Sequence, residues 1–206
     1  MSKIAILTDS SCDIPQEMAE KYNIDIMSFH ILLDDVDYVE RESCSNEEFY
    51  AKMRAAKGVP STAAITPIQF CEKYCQYVDE GYTDVIHVPI NRSGSSTYNN
   101  AVMAQGMLRE ERPEHHLKIH LIDSHTYSMP FGWYLCEMAR KLQNGAEISH
   151  VIHEFESQMS KMEIVLGPYS LRQMKKSGRR HGRADGHPPH HHPDRRQDQG
   201  GSQGPR

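Results

Sequence analysis

The C-terminal part of this 206-residue chain lacks the side chains that build a protein core. From Ser177 to Arg206 there is no Val, Ile, Leu, Met, Phe, Trp, Tyr or Cys. Such a segment cannot bury enough apolar surface to offset the backbone entropy lost on ordering, about 1–2 kcal/mol per residue. We therefore expect residues 177–206 to form a disordered tail rich in Arg, His, Pro and Gly, and residues 1–176 to form one folded lobe.

The sequence also lacks the signatures of several classes of protein. No apolar run approaches the roughly 20 residues that span a bilayer, and the N-terminal residues do not resemble a secretory signal. Glycine-rich nucleotide-binding signatures and the G-x-S-x-G nucleophile elbow are absent. We therefore expect a cytoplasmic protein without a transmembrane segment, and we do not expect a dinucleotide-dependent enzyme.

The charge of the chain is unevenly distributed. The formal net charge is -5, but the tail carries six Arg against three Asp and is therefore positive. The remainder of the chain is correspondingly more acidic. An acidic body argues against nucleic acid as the main partner, and the basic tail allows only non-specific contact with polyanions.

The cysteines do not show the spacing of a zinc site. There are five of them, an odd number. Cys71 and Cys75 are four residues apart on a predicted helix, so they are candidate metal ligands. The simpler interpretation is that all five are reduced core residues, and we expect neither a metal nor a cofactor.

Strand-like and helical segments alternate along the first 166 residues. Strands are predicted over residues 3–8, 24–33, 84–90, 117–122 and 163–166, with a turn at residues 34–35 or at residue 37. Helices are predicted over residues 14–22, 45–56, 66–80, 95–110, 131–142 and 148–159. Strands that alternate with long helices predict an α/β fold with a mostly parallel sheet flanked by helices.

Three of the predicted strands end in hydroxyl-rich segments. In open α/β sheets, ligands bind at the carboxyl ends of the strands, near the N-termini of the following helices. The free N–H groups and the helix dipole at these positions favour an anion, so a carboxylate or a phosphate is the expected ligand. The candidate residues in the three segments are Ser10, Ser11, Ser95, Ser96, Thr97, Asp123 and Ser124.

Two other interpretations of these segments remain open. Ser, Thr and Asp are preferred as helix caps and in turns, so the residues can be purely structural. His125 lies beside Asp123 and Ser124, which suggests a small serine-dependent hydrolase or a phosphate-handling enzyme. Catalytic triads, however, are assembled from separated segments rather than from adjacent residues.

Four segments resemble, in the same order, the motifs of the DegV family of bacterial fatty-acid-binding proteins. They are T-D-S-S-C-D-I-P from Thr8, T-A-A-I-T-P from Thr62, S-S-T-Y-N-N-A from Ser95, and D-S-H-T-Y-S from Asp123. A fifth segment, L-R-Q-M-K-K-S-G-R from Leu171, resembles a further motif of the family.

The resemblance implies a two-lobed, non-enzymatic protein that holds one long-chain fatty acid. The acyl chain would lie in an apolar tunnel built largely by the C-terminal lobe, and Thr62 and Ser95 would donate hydrogen bonds to the carboxylate. The family often has Ser where this chain has Ala63, and Gly where it has Ser96. Some members present the acid to a kinase, so the resemblance implies the catalytic subunit of a fatty acid kinase as a partner.

The resemblance stops near Gly178, where the C-terminal lobe of the family would begin. We expect a frameshift at about residue 179 or 180, loss of the C-terminal lobe, and weak or absent fatty-acid binding by this chain. One rival hypothesis is a genuine metal-binding tail through the four clustered histidines at positions 187 and 190–192. Another is a truncated product without function.

Overall fold

The computed structural model describes residues 2–164, which form two β-sheets and six α-helices. The strands are β1 (Ile4–Asp9), β2 (Ile24–Met27), β3 (His30–Leu33), β4 (Val36–Val39), β5 (Ser61–Ala63), β6 (Asp84–Val88) and β7 (Lys118–Leu121). The helices are α1 (Gln16–Tyr22), α2 (Asn46–Ala55), α3 (Pro67–Asp79), α4 (Thr97–Glu111), α5 (Met129–Gln143) and α6 (Ile148–Met159), with a short 3-10 helix at Ser10–Cys12.

The larger sheet is parallel throughout and has the strand order β2-β1-β6-β7. In its centre, Ile6 of β1 is in register with Ile24 on one side and Ile86 on the other. These residues pack against α1, α5 and α6, whereas Ala5 and Leu7 face the opposite side and pack against α3 and α4. The predicted α/β fold with a parallel sheet flanked by helices is therefore confirmed.

Large apolar side chains fill the layer on each face of this sheet. Phe131 and Leu135 of α5 are fully buried on one face, and Phe70 and Leu108 are fully buried on the other. Complete burial of a side chain of this size contributes about 1.5–3 kcal/mol. The two layers hold the strand ends in fixed positions.

The prediction of one strand over residues 24–33 is wrong. The chain leaves the parallel sheet after Met27, buries Phe29 in the core, and continues as β3 in a separate antiparallel sheet of order β4-β3-β5. The predicted turn at Asp34 and Asp35 is present, and both residues have positive φ, as a two-residue hairpin turn requires. The sequence did not indicate β4 and β5, because these short strands are largely exposed and have no clear apolar alternation.

The predicted helices are all present, with ends that differ by at most two residues from the expected positions. Capping boxes at Ser45 and Thr66 fix the starts of α2 and α3. Glu163 and Ile164 are not in a strand, and the rest of the predicted strand over 163–166 lies outside the described residues. The predicted boundary at residues 176–177, the tail, and the motif that begins at Leu171 also lie outside them.

Within residues 2–164, no helix has both the length and the apolar character needed to cross a membrane.

Candidate functional site

The carboxyl ends of β1, β6 and β7 are joined by hydrogen bonds from the backbone of the β6–α4 loop. The Ile90 N–H donates to Asp9 Oδ2 at 2.7 Å, which connects the ends of β1 and β6. The Arg92 N–H donates to Asp123 Oδ1 at 3.1 Å, which connects the same loop to the segment after β7. The three hydroxyl-rich segments therefore meet at one edge of the parallel sheet.

Asp9 is a buried carboxylate at the centre of this edge. It accepts hydrogen bonds from the Ser11 N–H, the Ser11 hydroxyl and the Ile90 N–H. Burial raises the pKa of Asp9 to about 6, while the hydrogen bonds from Ser11 and Ile90 lower it and the nearby Glu40 raises it slightly. Asp9 orders the strand ends, but as an acid it is not a partner for an anionic ligand.

Ser10 is committed to contacts within the protein. Its hydroxyl donates to Glu40 Oε2 at 2.5 Å and accepts from the Phe29 N–H at 2.9 Å. A hydroxyl has a single proton, so this proton is not available to a ligand carboxylate. The Ser11 hydroxyl likewise donates its single proton within the protein, to Asp9 Oδ1. The hydroxyl protons of both serines are therefore used within the protein.

The segment after β7 is likewise held by its own hydrogen bonds. Ser124 is buried, and its hydroxyl donates to the Thr126 carbonyl at 3.1 Å. Asp123 accepts from the Arg92 and His125 N–H groups, at 3.1 and 2.9 Å. These contacts of Asp123 and Ser124 lie within the protein and hold the neighbouring loop.

Ser95 has a different arrangement. Its half-buried hydroxyl oxygen lies 3.2 Å from the Thr97 amide nitrogen and 2.8 Å from the buried Thr97 hydroxyl oxygen. When Thr97 is the donor in both contacts, the two acceptor positions of Ser95 are filled and its own proton is left for an outside acceptor. Ser96, the residue between them, is exposed and makes no side-chain cap to α4.

Close packing at Gly94 fixes the loop that carries Ser95. The Tyr127 hydroxyl lies so near Gly94 that a Cβ added there would be 2.0 Å from the phenol oxygen. Only glycine permits this approach of the two loops. Sequence inspection missed the Gly94–Tyr127 contact, because it joins loops more than thirty positions apart.

Thr62 lies on the antiparallel sheet, whereas Ser95 lies in the loop between β6 and α4. Thr62 is an exposed residue of β5, an edge strand of the antiparallel sheet, where it is in register with Ile31. The segment after β5 is joined to the first turn of α4, because Asn100 Nδ2 donates to the Ile65 carbonyl at 2.8 Å. This contact brings the segment that follows Thr62 to the N-terminal turn of the helix that follows Ser95.

Two cavities lie beside the antiparallel sheet and α2. One has a volume of about 110 Å³ and is lined by Tyr38 and Phe49 among others. The other is an open cleft of about 680 Å³ that includes Ser10, Glu40 and Arg41. Neither is lined by Thr62 or Ser95, so these cavities are distinct from the two expected carboxylate donors.

The histidines near this edge do not form a pair with a serine. His125 Nδ1 lies 3.4 Å from Asp123 Oδ2, while Ser124 bonds elsewhere. His87 is fully buried against the Tyr74 hydroxyl at 2.7 Å, and burial lowers the pKa of His87 to about 3. Among residues 2–164, no hydrogen bond joins a serine hydroxyl to a histidine ring. The hydrolase hypothesis therefore gains no support from this part of the chain.

Comparison with known proteins agrees with the motifs. A DegV domain-containing protein of Clostridium perfringens strain 13 is 30% identical over 180 residues, which are 87% of this chain and 62% of that protein. A DegV lipid-binding protein of Thermotoga maritima superposes with a TM-score of 0.67 at 28% identity, over 77% of this chain and 55% of that one.

A second protein of Thermotoga maritima, whose structure is described as revealing a fatty-acid-binding function, superposes with a TM-score of 0.68 at 28% identity. The match covers 78% of this chain and 56% of that protein, so this chain spans little more than half the length of its solved relatives. A family model described as "Uncharacterised protein, DegV family" matches residues 3–184. The resemblance seen in the motifs is confirmed, and this chain belongs to the DegV family.

Proposed function

We propose that this chain binds a long-chain fatty acid without transforming it, and that the hydroxyls of Ser95 and Thr62 hold the carboxylate. Two relatives support the ligand class: one is named as a lipid-binding protein and the other as a fatty-acid-binding protein, both at 28% identity. The arrangement of the strand ends supports the position of the head group.

The observation that carries the proposal is the pair of contacts between the Ser95 hydroxyl oxygen and Thr97. We take Thr97 as the donor in both contacts, which fills the acceptor positions of the Ser95 oxygen and directs its proton to an acceptor outside the protein. A hydrogen bond to an ionised carboxylate contributes about 1.5–3 kcal/mol. Ser95 also precedes the N-terminus of α4, a 15-residue helix whose dipole favours a negative charge.

Thr62 is the second proposed donor. Its hydroxyl is on an exposed strand, and the Asn100–Ile65 hydrogen bond ties the following segment to α4. The neighbouring Ala63 has no hydroxyl, so this chain has one donor fewer than the usual family pattern. We therefore expect Ser95 to contribute more to binding than Thr62.

The hydroxyls select the acid, but the acyl chain supplies most of the affinity. Each buried methylene contributes about 0.8 kcal/mol, so a chain of about 16 carbons yields of order 10 kcal/mol before the cost of association. The family resemblance assigns the apolar tunnel largely to a C-terminal lobe. Weak or absent binding by this chain stays a prediction.

The expected macromolecular partner is the catalytic subunit of a fatty acid kinase. A carboxylate held at the edge of the sheet, beside a half-buried Ser95, remains accessible to a second protein. The physical role of the lobe is then to present the head group while other residues hold the acyl chain. This partner rests on the family resemblance.

Oleate titration followed by the backbone amide resonances of residues 94–97 tests the proposal, because chemical shifts report weak as well as tight binding. Ser95→Ala should weaken binding about 10- to 100-fold, the equivalent of one charge-assisted hydrogen bond. The control is Ser93→Ala, since Ser93 is exposed in the same loop and its hydroxyl bonds to Asn91 instead.

Equal oleate affinity of the S95A and S93A variants would contradict the role of Ser95. Oleate binding that leaves the resonances of residues 94–97 unshifted would contradict the head-group site. Ester turnover that disappears in S95A would favour the hydrolase alternative.

A further inference from the structure

A second group of ligand-type side chains lies where α3 packs against α4. Cys71 and Cys75 are one turn apart on α3 and therefore share a face of that helix. Their side chains are buried, and they face Glu111, the last residue of α4. The two sulfur atoms and a carboxylate oxygen of Glu111 all lie within 4.8 Å of one another.

The spacing of these atoms matches a tetrahedral metal site. With Zn–S bonds of about 2.3 Å and Zn–O bonds of about 2.0 Å, a tetrahedral ion separates S from O by about 3.5 Å and S from S by about 3.8 Å. The observed distance from Cys75 Sγ to Glu111 Oε2 is 3.5 Å. Small side-chain rotations are therefore sufficient to bring the three atoms around one ion.

We propose that Cys71, Cys75 and Glu111 bind a thiophilic divalent cation of the Zn²⁺ class, with water as the fourth ligand. Two thiolates and a carboxylate suit Zn²⁺, which is of intermediate softness. Glu111 is exposed, so solvent reaches the remaining position. Binding releases the two thiol protons to solvent and leaves an anionic site, with one excess negative charge, that joins α3 to α4.

The cation site is separate from the proposed fatty-acid site. Glu111 ends α4, whereas Ser95 lies just before its start at Thr97. At a rise of about 1.5 Å per residue, the two ends of this helix are about 20 Å apart. Failure of the cation proposal would therefore leave the fatty-acid proposal intact, and the reverse also holds.

Neighbouring charges leave Glu111 available to the cation. Arg112, the next residue, directs its guanidinium to Asp79 at 3.7 Å. The carboxylate of Glu111 instead faces Cys75.

The alternative to a metal site is a plain S–H···O hydrogen bond from the Cys75 thiol to Glu111, and the pH dependence of cation binding distinguishes the two. An ordinary thiol has a pKa of about 8.5 and is protonated at neutral pH. A cation must displace both protons, so its affinity should rise up to about 100-fold per pH unit in the neutral range. A simple hydrogen bond gives no cation binding at any pH in this range.

Titration of the reduced full-length chain with Cd²⁺ tests the proposal. Thiolate-to-cadmium charge transfer gives an ultraviolet absorption band that the histidines of the tail cannot produce. We expect the band to saturate at one Cd²⁺ per chain and Zn²⁺ to displace it. The band should disappear in Cys71→Ser and Cys75→Ser and persist in Cys44→Ser, which removes a thiol outside the cluster.

Glu111→Gln is the decisive variant if the buried serine substitutions impair folding, because Glu111 is on the surface. It should weaken Cd²⁺ binding by about 10-fold or more, since loss of even an outer-shell partner costs metal sites 10- to 100-fold. The control Glu110→Gln, on the adjacent exposed position, should leave the affinity unchanged. No thiolate band in the wild type, a band that survives C71S, or equal affinities of E111Q and E110Q would each overturn the proposal.

Discussion

Replacement of Asp9 by Asn tests how the strand ends are held together. Asp9 is fully buried and accepts hydrogen bonds from Ser11 and Ile90. Its pKa is about 6 in the folded protein against a model-peptide value of 3.8. An Asn at this position keeps a hydrogen-bond acceptor but does not titrate. The pH dependence that Asp9 contributes should therefore vanish in the variant.

The sign and size of the effect follow from proton linkage. Because the pKa of Asp9 is higher in the folded state, the folded state binds the proton more tightly, and acidification through pH 6 stabilises the protein through this group. The full stabilisation is present below the unfolded-state pKa and is lost as the pH rises through the folded-state pKa. The pKa difference corresponds to about 3 kcal/mol in total, and to about 2 kcal/mol between about pH 7.5 and about pH 4.5.

Urea denaturation of the wild type and of Asp9→Asn over this pH range measures the effect. The difference between the two free energies of unfolding cancels the titration of other groups. It should shift by about 2 kcal/mol in favour of the wild type on acidification. Ser11→Ala removes a donor to the ionised carboxylate, so the transition should move to higher pH. Parallel pH profiles for the wild type and D9N would refute the argument.

Three further substitutions test close packing, helix propensity and a buried hydrogen bond. Gly132→Ala should destabilise the protein by about 1–3 kcal/mol in thermal or urea unfolding, because the new Cβ would lie 2.2 Å from the Cys12 carbonyl oxygen. Gly106→Ala, with open space around a mid-helix position, should instead stabilise it by up to about 1 kcal/mol, and a loss of stability there would contradict the helix assignment. Tyr74→Phe removes the hydroxyl that is hydrogen-bonded to the buried His87, so the free energy of unfolding should fall by about 1–3 kcal/mol. An unchanged free energy of unfolding would mean that this hydrogen bond does not stabilise the protein.

The features that the sequence predicted are those set by local chemistry. The run Ile4–Asp9 is apolar enough to be a central strand buried on both faces, and it is. The capping residues Ser45 and Thr66 identify the starts of α2 and α3 because each bonds to the residue three positions later. Hydroxyl-rich segments after strands indicate one shared edge, since parallel strands end on the same side.

The features that the sequence did not predict depend on long-range contacts. Nothing between Ile24 and Leu33 marks a strand end, and the break arises because Phe29 enters the core and its N–H bonds to Ser10. The short strands β4 and β5 are stabilised by pairing with β3 rather than by their own apolar pattern.

Contacts between side chains of different helices, strands or loops could not be predicted from the sequence either. The sequence indicated Ser95 as a candidate through family resemblance, but its two contacts with Thr97 depend on the fold of the loop. Cys71 and Cys75 were recognised as a helical pair, and the third ligand Glu111 lies on another helix. Spacing within one element is visible in a sequence, whereas the element that packs against it is not.

Titration of oleate labelled with ¹³C at its carboxyl carbon tests the head-group site most directly. Bound to the wild type, the acid should show a carboxyl pKa about one unit or more below its value bound to Ser95→Ala, because a hydroxyl that donates to the ionised form stabilises it by about 1.5–3 kcal/mol. Thr97→Val, which removes one of the donors that orient Ser95, should lie between the two. Identical carboxyl pKa values in all three proteins would contradict the site.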